Sequence, residues 1–73
     1  MNEYGVILFF TTSSAIRSEK ILKKEGYTVK LIPTPRQFSS DCGIALSFIW
    51  EERDSVEQML TEAHVEIDAV RKI

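Results

Sequence analysis

The chain contains a single cysteine, Cys42, preceded by Ser39, Ser40 and Asp41 and followed by Gly43. Unpaired cysteines commonly sit inside apolar runs, where they act as small hydrophobes. A run of turn-forming polar residues is a different setting. It suits a thiol offered for reaction, because the thiolate is the nucleophile. One cysteine excludes an internal disulfide and any multi-cysteine metal centre. His64 has no cysteine or second histidine near it in the chain, so neither a metal nor a cofactor is expected. Ser13, Ser14 and His64 form no nucleophile constellation, since no acid is placed to orient the imidazole. Arg36 stands in the same segment as Cys42 and can add positive potential. Gly43 leaves the flank of Cys42 open, permitting an unusual φ or the close approach of a partner.

The segment carrying these residues, Pro33 to Gly43, runs to eleven residues between two strand-like stretches. Hairpin loops usually take about 2–5 residues, so this one needs a reason. Pro33 and Pro35 fix φ and stiffen its entry. Phe38 reads as an anchor packing onto the sheet edge. A long loop with a stiff entry and a small-residue tip suits presentation of one side chain, and Cys42 is expected to be exposed on it.

The elements that must position this loop follow from patterning. Tyr4 to Phe10 is apolar without alternation, as in a strand buried on both faces. Thr11 to Ser14 supply N-cap residues. Ala15 to Glu25 then continues as a helix with Ala15, Ser18, Ile21 and Leu22 inward, stopped by Gly26. Tyr27 to Ile32 alternates like an edge strand, and Ile44 to Trp50 reads as another strand. Asp54 and Glu57 resemble a capping box, opening a helix with Val56, Met59, Leu60 and Ala63 on one stripe. A last strand is expected at Val65 to Ala69, with continuation toward Ile73. The order β-α-β-β-α-β is that of an α+β, ferredoxin-like fold. It implies a four-stranded antiparallel sheet in the order 4-1-3-2 with both helices on one face. In this fold the start of the first helix, at Thr12 and Ser13, lies on the Cys42 side. Its free N–H groups and positive dipole end favour an anion such as a thiolate.

Composition sets the boundaries. Seventy-three residues, 44% hydrophobic and 27% charged, give one ordinary globular domain, expected to span residues 1–73. A net charge of −2 argues against nucleic acid, whose binders carry a basic field. The cations Arg17, Lys20, Lys23 and Lys24, interleaved with Glu19 and Glu25, read as a solvated helix face. The apolar run Val6 to Phe10 is too short for a membrane span or a signal core, so a cytoplasmic protein without membrane contact is expected.

Two stretches at fixed spacing carry a resemblance: Ile32-Pro33-Thr34-Pro35-Arg36, then Ser39-Ser40-Asp41-Cys42-Gly43. With the run from Phe9 to Gly26 (FFTTSSAIRSEKILKKEG), they make the chain resemble a family of small bacterial selenium/sulfur carrier-like proteins along essentially its whole length. The resemblance implies a role for Cys42 in carrying sulfur or selenium as a persulfide or selenopersulfide. The carrier would be non-enzymatic, with chalcogen donor and acceptor proteins as partners. A second cysteine would be harmful there, since it could resolve the persulfide into a disulfide. Around Cys42 the binding residues would be Arg36, Ser39, Ser40, Gly43, Thr12 and Ser13. The competing reading is a ferredoxin-like binding, regulatory or dimerisation module in which Cys42 is structural. The sheet face turned from the helices would expose Ile7, Phe9, Ile32 or Ile49, depending on register, and favour a homodimer.

Overall fold

Strands that are apolar on both sides belong at the centre of a sheet, and the arrangement here obeys that rule. The computed structural model describes residues 3–38 and 42–73. The elements run β1 (Tyr4–Leu8), α1 (Thr12–Lys24), β2 (Val29–Pro33), β3 (Ile44–Ile49), a 3₁₀ turn (Trp50–Glu52), α2 (Arg53–Glu62) and β4 (Ala69–Lys72). The sheet order is β2-β3-β1-β4, the expected order read from the other edge. Every neighbouring pair is antiparallel. This is the ferredoxin-like α+β fold.

Both helices press one face of the sheet. Ala15 and Leu22 of α1 and Val56 and Leu60 of α2 share a core with Ile7, Phe9, Val29, Leu46 and Phe48. Ile7 and Phe9 are therefore not on the far face, contrary to expectation. Register decides this, because Ile7 pairs with Leu46 and Val70 and points to the helices with them. The far face instead holds Val6, Leu8 and Ala45, with Ile32, Ala69 and Phe38 packed around them. Phe38 is thus an anchor, but it closes a small second core on this face instead of packing onto the sheet edge as expected. The one buried polar residue of α1, Ser18, donates its hydroxyl to the Ser14 carbonyl at 2.8 Å. Burial without a lost hydrogen bond carries little penalty.

Several element ends fall differently from expectation. The N-cap of α1 is Thr11, whose side chain accepts from the Ser14 N–H at 3.2 Å. The 3₁₀ turn takes Trp50 out of β3, and Glu52, not Asp54, is the N-cap of α2, with no side-chain cap bond. The Asp54–Glu57 capping box does not form because the helix has already begun at Arg53. Strand β4 starts at Ala69 rather than Val65. Val65 is occupied in leaving α2, its N–H bonded to the Leu60 carbonyl, and pairing toward β1 opens with Asp68 N–H to Leu8 O at 2.8 Å.

Candidate functional site

The β2–β3 connection is closed at its neck by Thr34. The ladder ends at the pair Pro33–Ile44, with the proline on an edge strand where its missing N–H is tolerated. Beyond that pair the Thr34 N–H donates to the Gly43 carbonyl at 3.1 Å. The Thr34 hydroxyl donates to the Cys42 carbonyl at 2.8 Å. Cys42 is therefore fixed two residues before β3, at the base of the loop rather than at its tip. Thr34 was not among the candidate residues. Its position between two prolines marks a stiff turn, but nothing in that spacing says which backbone group its hydroxyl will meet.

Cys42 turns its side chain inward and is 4% exposed. The expected exposed thiol is a buried one. The reason lies in the crossover between β1 and α1, which brings the first turn of α1 over the neck. Thr12 Oγ1 lies 3.7 Å from Cys42 Sγ, a hydroxyl–thiol contact across 30 residues of chain. The sulfur thus sits beside a helix end whose first N–H groups lack intrahelical acceptors and whose dipole favours negative charge.

The other candidates divide. Ser13 is exposed on the outer side of that first turn. Arg36 is exposed in the turn closed by Phe38 N–H to Pro35 O at 3.0 Å, and it forms no ion pair or hydrogen bond among the described residues. Gly43 is exposed, its φ is not left-handed, and an added Cβ would meet nothing within 4 Å. Gly43 therefore does not use the unusual φ that a glycine permits; of the two expected uses, the open flank for a partner's approach is the one its surroundings leave room for. Ser39, Ser40 and Asp41 lie outside the described residues. No group of three metal-ligating side chains occurs among the described residues. No helix among them is long and apolar enough to cross a membrane.

A family model described as "Putative Se/S carrier protein-like" matches residues 4–72, which include β1, the Thr34 neck, Cys42 and β4. No curated protein and no solved structure matches the chain.

Proposed function

This chain belongs to the Se/S carrier-like family, and from that membership we propose that it carries sulfur or selenium on Cys42. The observation supporting the residue assignment is the seat of the only cysteine, against the N-terminal end of α1 and within 3.7 Å of Thr12 Oγ1. In loading, the Cys42 thiolate attacks the outer chalcogen of a donor persulfide or selenopersulfide. A bond forms from Sγ to that atom as its bond to the donor sulfur breaks. The donor leaves with the electron pair as a thiolate and takes up the proton that Cys42 released. Neither oxidant nor reductant is consumed. Unloading to an acceptor thiolate repeats the step in reverse sense. The chain offers no second thiol to cut the cycle short by forming a disulfide within itself.

Burial of the sulfur favours a second reading, in which Cys42 is packing and the fold is a binding module. The two separate in one experiment. The protein is incubated with a cysteine desulfurase and its substrate, or with glutathione persulfide, and examined by intact-mass spectrometry. A carrier gains one sulfur atom, and the Cys42→Ser variant gains none. An unloaded wild-type protein under both donors leaves Cys42 as packing.

A further inference from the structure

We propose that the outward face of α1 is the docking surface for an acidic segment of a protein partner that ends in apolar residues; this rests on the carrier reading above. The helical layer is divided by charge. Helix α1 holds Arg17, Lys20, Lys23 and Lys24 against Glu19 alone. The stretch from Trp50 to Glu62 holds Glu51, Glu52, Asp54, Glu57 and Glu62 against Arg53 alone. In a chain of net charge −2, α1 is thus a basic helix beside an acidic one.

Two of the four cations are already engaged. Arg17 donates to the Ala63 carbonyl at the end of α2 at 2.9 Å, and Lys23 pairs with Glu19 at 3.3 Å. Lys20 and Lys24 have no ion pair among the described residues. With Ala15, Ser18 and Leu22 inward, helical spacing places Ser13, Lys20 and Lys24 directly outward, and Ile16 beside them on the Thr12 side. Ile16 is 40% exposed, and Phe10, just before the N-cap, is 47% exposed. The face therefore grades from apolar at the end that touches the Cys42 sulfur to cationic at the far end. An occupant laid along it would carry an apolar contact near the thiol and carboxylates beyond. A phosphate backbone would supply the charge but leave the exposed Ile16 and Phe10 without an apolar contact, which favours a protein over nucleic acid. Steering of this kind suits brief encounters, because charge complementarity raises association rates more than lifetimes.

The test uses the Cys42→Ser protein, so that docking is read without thiol chemistry. Amide shifts are followed by NMR during titration with a ten-residue peptide that has two leucines at one end and glutamates at the other. The expected result is a set of shifts confined to Ser13, Ile16, Lys20, Lys24 and their neighbours. Binding should weaken at least tenfold in Lys20→Glu/Lys24→Glu and about threefold in Ile16→Ser. Thermal melting should confirm that each variant folds. Absent shifts, or shifts spread equally over Lys30, Arg71 and Lys72, would overturn the proposal. So would tighter binding of a single-stranded oligonucleotide to the same face. Persulfide loading of the wild-type protein from glutathione persulfide, measured separately, reports on the carrier reading alone.

Discussion

His64 holds a backbone conformation that glycine usually fills. Its φ is 58°, and it follows α2 as Gly26, at φ 91°, follows α1. Both helices end in the same hydrogen-bonded reversal: Tyr27 N–H to Leu22 O and Gly26 N–H to Lys23 O at the first, Val65 N–H to Leu60 O and His64 N–H to Thr61 O at the second. A left-handed non-glycine residue costs about 1–2 kcal/mol, and glycine returns part of that as backbone entropy. His64→Gly should therefore stabilise the protein by about 0.5–1 kcal/mol, seen as a higher urea midpoint with an unchanged slope. Gly5 sets the opposite case. A Cβ there would lie 2.6 Å from Trp50 Cε3 and 2.8 Å from Phe48 Cζ. These rings pack together with centroids 6.0 Å apart, and the Arg53 guanidinium stacks 4.8 Å from the Trp50 ring. Gly5→Ala should cost about 1–3 kcal/mol by overpacking, measured by the same denaturation. Gly26 could be read from the sequence as a helix stop. The turn at His64 could not, because only the path of the chain from α2 into β4 requires it.

At the scale of elements, local signals were sound wherever a single helix or strand decides its own structure. The inward stripe of α1, the apolarity of β1 and the buried Val56 and Leu60 of α2 are all visible as periodicity. Boundaries set by a neighbour were not. Trp50 looks like strand by composition, yet its N–H is taken by the Glu3 carbonyl at 2.9 Å as the chain turns off the sheet. The first turn of α1 is where element and site meet. Thr11 caps it through the Ser14 N–H, and loss of such a cap typically costs about 1 kcal/mol. Thr11→Ala should lower the melting temperature by roughly 4–8 °C for a domain of this size. If the turn frays as a result, alkylation of Cys42 in native buffer should quicken. An unchanged alkylation rate would show that this turn does not guard the thiol.

For the whole molecule, the topology was legible and the depth of the thiol was not. Sheet order follows from which strands are apolar on both faces. The burial of Cys42 depends on where the β1–α1 crossover lands relative to a loop neck 30 residues away, which no local pattern records. A carrier with a covered sulfur must uncover it without unfolding. Global stability for a chain of this length is on the order of 4–10 kcal/mol. Native-state alkylation of Cys42 should report an opening free energy at least about 1–2 kcal/mol below the global value, as sub-global openings do. Equality of the two would mark the thiol as core. The Thr34 clamp has a further meaning for variation in this protein. Because the hydroxyl and N–H of one residue hold the carbonyls of Cys42 and Gly43, the sulfur is indexed to the sheet and not to the amount of chain beyond it. Closure entropy rises slowly, by about 0.6 kcal/mol per doubling of loop length. Four residues inserted just after Phe38 should therefore leave both stability and alkylation rate nearly unchanged. A longer segment would leave the cysteine at the same fixed address.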